Sequence, residues 1–456
     1  MAERVVVIGG DAAGMSAASM AKRLRGELEV IAFERGEHTS YSMCGIPYWV
    51  AGDVADWPAL VARTPEEHRR NGIDVRLGSE VTAIDPAAGT ALVRTLRGTE
   101  TVGWDHLVIG TGAEPIRPDW PGLDADGVFE VQRIPDGVAL LAAVAAGAKR
   151  AVVIGAGYIG IEMAEALVRR GLQVAVLDRG PQPMGTLDPD MGAHVRAAME
   201  GVGIEVRTGI EVEGIETFAG RATGVATDHG TLPADVVICG LGVRPAVALA
   251  REAGLMIGEA GGIRTDDRQL VAGDHPAQGR IWAGGDCVEV HDRIADRFTT
   301  VALGTHANRQ GRVIGTNLAG REARFAGVIG TAVSKLCSLE IGRTGLGERA
   351  AAGAGFDAVT ATIESTTRAG YMPDAGPIHV KLIAERGTGR LLGGQIVGHN
   401  DGAAKRIDVV ATAVWTGLSV GELAEVDLSY APPFSPLWDP VTVAARATHD
   451  AAQRSQ

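Results

Sequence analysis

Cysteine is scarce in this chain. Four residues, Cys44, Cys239, Cys287 and Cys337, are scattered over 456 positions at unrelated spacings. That pattern excludes a disulfide framework and a zinc-ligand set. Basic blocks are also missing, and 56 acidic side chains outnumber 43 basic ones for a formal net charge of −13. This argues against a nucleic-acid partner and is mainly a statement about solubility. The apolar stretch "VALLAAVAAG" (138–147) ends at Lys149 and Arg150, too short to cross a bilayer. The opening "MAERVVVIGG" has no basic leader region and no cleavage site, so it reads as a strand and not as a signal peptide. A cytoplasmic protein without a membrane contact is expected.

What is present is ordinary in bulk, with 46% hydrophobic and 22% charged residues, and the length implies two to four domains. The 63 glycines favour an architecture rich in tight strand-to-helix turns. In "VVVIGGDAAGMSAASMAKRL" a buried strand (Val5 to Ile8) meets a glycine turn and a helix. This is the opening of a Rossmann unit, where a helix N-terminus faces a pyrophosphate. Gly9 and Gly14 hold the first and third glycine places, Asp11 replaces the middle one, and Gly10 supplies backbone room beside it. Glu34, twenty residues after Gly14, is placed to accept from a ribose hydroxyl.

A second cradle, "AVVIGAGYIGIEMAEALVRRG", carries Gly155, Gly157 and Gly160 in full G-x-G-x-x-G spacing, with Asp178 eighteen residues on. The acid favours NADH because a carboxylate repels a 2′-phosphate, whereas the adjacent Arg179 can pair with one. Two cradles imply two dinucleotides. The segment "WAGGD" ends in Asp286, whose carboxylate suits the ribityl chain of a flavin. The helix opening after "TTVALG" can present its amides to the flavin pyrimidine ring.

With these markers, together with "LVIGTGAEP" (107–115) and "VICGLGVRP" (237–245), the chain resembles the pyridine nucleotide–disulfide oxidoreductases over nearly its whole length. The resemblance implies an α/β fold: two Rossmann-like dinucleotide-binding domains and a C-terminal α+β dimerisation domain. The FAD domain would comprise 1–114 and 246–325, the NAD(P) domain 115–245 and the interface domain 326–456. It further implies FAD contacts at Gly9, Gly10, Asp11, Ala12, Ala13 and Gly14, at Glu34 and Arg35, at Thr111 and Gly112, and at Asp286, Ala302 and Thr305. NADH or NADPH would be held by Gly155, Gly157, Tyr158, Ile159 and Gly160, by Glu162, Asp178 and Arg179, and by Gly242. Within the interface domain, "HVKLIAERGTGRLLGGQIVG" (379–398) reads as a hairpin before a helix at "AAKRIDVVATAVW". The tail "THDAAQRSQ" reads as frayed.

One further absence carries the chemistry. "SYSMCGIPYW" (40–49) holds Cys44 with no second cysteine nearby. This resembles the single-cysteine branch of the family: coenzyme A-disulfide reductases, NADH oxidases and peroxidases, and polysulfide reductases. Oxidised Cys44 is then either a mixed disulfide with a small thiol or a sulfenic acid. The oxidases and peroxidases carry a histidine in the first glycine turn, where this chain has Ala12, and no histidine precedes His38. "DLSYAPPFSPLWDPV" (427–441) has Tyr430 where two-cysteine reductases have a catalytic histidine. Similarity to coenzyme A-disulfide reductases implies that Tyr430 and Tyr371 reach the partner subunit's site in a homodimer. Lys22 and Arg23 match coenzyme A phosphate-binding positions, and Ser40 and Met43 flank the substrate. Met43 departs from the asparagine of several such reductases, leaving the thiol open. The expected enzyme reduces a small-molecule disulfide, most readily coenzyme A disulfide. The alternatives are an NAD(P)H oxidase, a polysulfide or persulfide reductase, or a redox-responsive flavoprotein that acts by binding.

Overall fold

The computed structural model describes residues 2–400 and 402–453. Val5, Val6 and Val7 are completely buried, because their strand, Arg4–Ile8, lies inside a parallel sheet covered on both faces. The sheet order is Ile281–Ala283, His106–Ile109, Arg4–Ile8, Glu29–Phe33, Ile73–Arg76. Helix Ala12–Leu24 packs along helix Gly304–Leu318 through small residues. A Cβ added at Gly311 would stand 2.4 Å from the carbonyl oxygen of Ala13, so glycine sets how closely the two helices approach.

A second parallel sheet repeats the plan in the order Glu205–Thr208, Gln173–Asp178, Arg150–Ile154, Val236–Cys239, Val128–Phe129. The segments running between the two sheets pair with each other, Ala113–Pro115 antiparallel to Val243–Pro245. The hydroxyl of Thr111 fastens the pair by donating to the Ala246 carbonyl at 2.7 Å.

The third unit is a five-stranded antiparallel sheet ordered Ala332–Leu336, Leu339–Gly345, Leu391–His399, Pro377–Glu385, Ala358–Thr366. It contains the expected hairpin, as strands Pro377–Glu385 and Leu391–His399. The helix read from 403–415 begins with a 3-10 turn, Ala404–Arg406, and continues as Ile407–Thr416. The tail differs from expectation. Residues from Pro440 to Gln453 form a helix, with Val441, Ala444, Ala445 and Thr448 fully buried and Ala452 nearly so. Its buried face is built from small side chains, which a polar composition conceals; residues 454–456 lie outside the described region.

One hydrophobic cluster draws on all three units. Ile46, Trp49 and Val50, just after Cys44, pack with Leu167 of the second cradle helix and with Leu336, Ile341 and Val397 of the third sheet. An ion cluster reinforces the contact between the second and third units: Lys381, only 3% exposed, lies 3.2 Å from buried Asp188 and 2.8 and 2.7 Å from the half-exposed Asp190 and Glu348. Such a charge is tolerated inside only because it is paired.

Candidate active site

In the first cradle, Gly9 adopts φ +104° and a Cβ there would stand 2.1 Å from the Gly110 carbonyl oxygen. A Cβ at Gly14 would stand 2.1 Å from the Gly9 carbonyl oxygen. Both positions require glycine because backbone meets backbone. Gly10 serves another purpose: a Cβ would come within 2.7 Å of Glu34 Cβ, so its absence lets the carboxylate approach. Glu34 Oε2 accepts the Gly10 N–H at 2.8 Å and Oε1 the Gly36 N–H at 2.7 Å.

The second cradle has the same fastening. Gly155 sits at φ +97°, and a Cβ at Gly160 would stand 1.8 Å from the Gly155 carbonyl oxygen. Asp178 Oδ2 accepts the Ala156 N–H and Oδ1 the Gly180 N–H, each at 2.7 Å. In both cradles, then, the strand-end acid is held by the amide after the first glycine and by the amide two residues on. At Gly157 a Cβ would meet nothing, which leaves the open approach that a dinucleotide backbone needs. Arg179 is exposed beside Asp178. Replacing Asp178 by Ala is expected to narrow or reverse the preference between NADH and NADPH by roughly 5- to 30-fold, about 1–2 kcal/mol. The ratio of kcat/KM for the two nucleotides checks this; strong native selectivity for NADPH would show that Arg179 governs the choice.

The turn at Gly284–Asp286 faces the first cradle. Gln310 of helix Gly304–Leu318 accepts the Gly285 N–H at 2.7 Å, while its Nε2 is buried without a protein partner. Burial pushes the Asp286 carboxyl up to about 6. It pushes Asp11 up to about 7, with help from the charges of Glu34 and Asp286. Ala302 and Thr305 are exposed around the start of the helix, as is Arg35 after Glu34. Thr111 and Gly112 lie on one crossing segment and Gly242 on the other, where Ile116 N–H donates to the Gly242 carbonyl at 3.0 Å.

Cys44 sits in a 3-10 turn, Met43–Gly45, that leads into helix Ile46–Ala51. Its residue is exposed on one side and walled by protein on the other. Partial burial pushes the thiol up, and the carboxylates of Glu162, Asp286 and Asp11 push the same way. Both cradles and the Gly284–Asp286 turn therefore each contribute a carboxylate whose charge acts on this sulfur. Met43 is exposed beside it, and Ser40 takes a left-handed φ of +50°. Ser40 Oγ lies 2.9 Å from Nε2 of His68, whose imidazole burial pushes down to about 4.

The remaining candidates fall into two groups. Tyr371 and Tyr430 lie together on an exposed face of the third unit, hydroxyl to hydroxyl. Phe434, Leu437 and Trp438 are exposed in the same polypeptide stretch at 60–75%. Lys22, by contrast, ends its own helix: Nζ donates to the carbonyls of Gly26 and Leu28, both at 2.7 Å. A phosphate at Lys22 would compete with those bonds, whereas Arg23 is exposed next to it.

Tyr158 opens the second cradle helix with its hydroxyl buried and unpartnered, and Ile159 is exposed. Glu162, one turn on, accepts from Ser334 Oγ at 2.8 Å and from Tyr48 OH at 3.3 Å. Neither Tyr48 nor Ser334 was legible as a site residue. Tyr48 lies one helical turn past Cys44, a usable signal; Ser334 is 172 residues from its partner and had none.

Residues 3–311 match the family described as pyridine nucleotide-disulphide oxidoreductase, and residues 331–440 match that family's dimerisation domain. The chain belongs to this family. It is an FAD-dependent oxidoreductase that uses NADH or NADPH. Among its relatives, the NAD(P)H coenzyme A polysulfide/persulfide reductase of Pyrococcus horikoshii is 37% identical over 457 residues, spanning 98% of each chain. An NADH oxidase of Methanocaldococcus jannaschii is 37% identical over 446 residues, spanning 97% of this chain and 98% of the relative. The structure of an NAD-dependent persulfide reductase from A. fulgidus superposes with a TM-score of 0.95 at 37% identity, covering 99% of this chain and 83% of that one. No described helix is long and apolar enough to cross a membrane.

Proposed function

We propose that this flavoenzyme delivers electrons from NAD(P)H to Cys44 and thereby reduces a small-molecule disulfide, coenzyme A disulfide being the leading substrate. The observation that carries the reading is the exposed, unpaired Cys44 in the turn beside helix Ile46–Ala51, near carboxylates of both cradles. Cys239 and Cys287 are buried, and Cys337, the other exposed thiol, lies between strands Ala332–Leu336 and Leu339–Gly345 of the third sheet. FAD, when bound, supplies the two-electron relay between nicotinamide and sulfur. The first cradle and the Gly284–Asp286 turn would hold it, and the second cradle would hold the nucleotide with Tyr158 and Glu162 beside the nicotinamide. The domain limits inferred for these units are 1–114 with 246–325, 115–245, and 326–456.

The chemistry of the chain's own residues balances in two steps. A mixed disulfide between Cys44 and a small thiol accepts two electrons and one proton, its S–S bond breaks, and it yields the Cys44 thiolate and the free thiol. That thiolate attacks the next disulfide, forming a new mixed disulfide and expelling the second thiol, which takes up a proton. In a homodimer the exposed face bearing Tyr371 and Tyr430 is covered by a second copy, and the tyrosines supply the proton. An aromatic face of this kind is poorly suited to solvent, which supports that placement.

A persulfide or polysulfide substrate is the second reading. It is favoured by the relatives' named activities and by Met43, which offers no polar group to select one thiol. Steady-state turnover with coenzyme A disulfide, polysulfide and oxygen separates the possibilities. The expected result is the highest kcat/KM with coenzyme A disulfide. Faster polysulfide turnover selects the second reading, oxygen consumption as the dominant reaction would make the protein an oxidase, and no turnover with any acceptor would favour a binding role.

A further inference from the structure

The Glu162 carboxylate is where three parts of the fold meet through one oxygen atom. It projects from helix Tyr158–Arg169, and its Oε1 accepts both Ser334 Oγ at 2.8 Å, from strand Ala332–Leu336, and Tyr48 OH at 3.3 Å, from helix Ile46–Ala51. Among the described residues, Oε2 makes no hydrogen bond. The Lys335 ammonium stands 5.5 Å from the centre of the Tyr48 ring and 3.9 Å from Asp53. Asp53 is in turn held by Arg169 at 2.6 Å.

We infer that Tyr48 is a positioning residue for the nicotinamide, holding Glu162 by one oxygen so that the other is free to accept the carboxamide N–H. Three features support this. Glu162 lies one turn from the start of the second cradle helix, beside Tyr158, whose buried hydroxyl lacks a protein partner. Two hydroxyl donors on a single oxygen fix the carboxylate plane without satisfying the second oxygen, an arrangement suited to a ligand donor. Tyr48 is also one turn past Cys44, so the turn that carries the redox sulfur and the group that orients the nucleotide are held by the same short helix.

The same geometry gives a pH signature. Burial pushes the Glu162 carboxyl up; the Ser334 and Tyr48 hydroxyls pull it down, Glu165 on the same helix raises it and Lys335 from the third sheet lowers it. The Cys44 thiol, in the turn before helix Ile46–Ala51, is itself raised by the Glu162 charge. Protonated Glu162 can still accept, though more weakly than a carboxylate, so nucleotide affinity falls on the acid side. Removing the Tyr48 hydroxyl removes a donor that favours the carboxylate, and the acid limb then moves to higher pH.

The inference rests on the reading that the second cradle binds the nucleotide. The test is calorimetric affinity of the FAD-loaded protein for NAD⁺ across pH, alongside steady-state kinetics. Tyr48→Phe, which keeps the ring, is expected to weaken NAD⁺ binding roughly 3- to 10-fold, to raise KM for NAD(P)H more than it lowers kcat, and to shift the acid limb upward. Ser334→Ala, which removes the other donor to the same oxygen, should shift the limb in the same direction, and Glu162→Gln should abolish it. Unaltered affinity and an unaltered limb in both Tyr48→Phe and Ser334→Ala would overturn the inference. The underlying reading fails separately if Gly160→Ala, where the new Cβ meets the Gly155 carbonyl, leaves NAD⁺ binding intact.

Discussion

Cys44→Ser retains FAD and still bleaches its flavin with NAD(P)H, yet its disulfide turnover falls by roughly 10³-fold or more. The size follows from removing the atom that bonds to substrate, since losing a nucleophile costs at least this much in other enzymes. Retention of flavin follows from the separation of tasks. The first cradle is held by Gly9, Gly14 and Glu34 through backbone contacts that do not involve the sulfur. Mass spectrometry of the unreduced wild-type protein should show a small thiol on Cys44. Burial and the carboxylates of Glu162, Asp286 and Asp11 all disfavour a free thiolate in the protein alone, and a mixed disulfide removes that charge. Undiminished disulfide turnover by Cys44→Ser would end the mechanism.

Tyr430→Phe keeps its fold and flavin but slows thiol release by roughly 10²- to 10⁴-fold, the range for a positioned proton donor. Its ring is 46% exposed in the chain and touches Tyr371, whose phenol is pushed up by burial and by Tyr430. A phenol is protonated at neutral pH and can donate to a departing thiolate. If the tyrosine acts across a dimer, mixing Cys44→Ser with Tyr430→Phe subunits restores activity. In such a heterodimer one site pairs an intact Cys44 with an intact Tyr430, and the other has neither. Verified heterodimers without recovery would place Tyr430 in its own subunit's site or outside the chemistry.

Much of the site was readable because its chemistry is local. Gly9, Gly14, Gly155 and Gly160 are needed where a strand turns into a helix within a few residues, so their spacing survives in the linear text. Glu34 and Asp178 were found for the same reason, at the ends of the strands that follow. Their paired backbone hydrogen bonds were not, because spacing does not say which way a carboxylate turns. At Lys22 the spacing was silent about local structure: two basic residues suggested a phosphate, and in the fold the ammonium also reaches two carbonyls a few residues downstream. The C-terminal helix was missed because burial by alanine and threonine carries little hydrophobic signal, and only the third sheet beneath it makes those positions interior.

By itself the sequence determined that two nucleotide cradles exist, that a single cysteine stands between them, and that it has no second cysteine beside it in the chain. Each is a property of a short segment whose backbone geometry depends on its own glycines and acids. Tertiary structure alone decided that Tyr48, Glu162 and Ser334 form one unit, 114 and 172 residues apart along the chain. It alone decided, too, that carboxylates from both cradles and from the Gly284–Asp286 turn raise the Cys44 thiol and that Tyr371 and Tyr430 share an exposed face. Those facts depend on which surfaces pack together, and packing is settled by the summed burial of three sheets rather than by any local spacing.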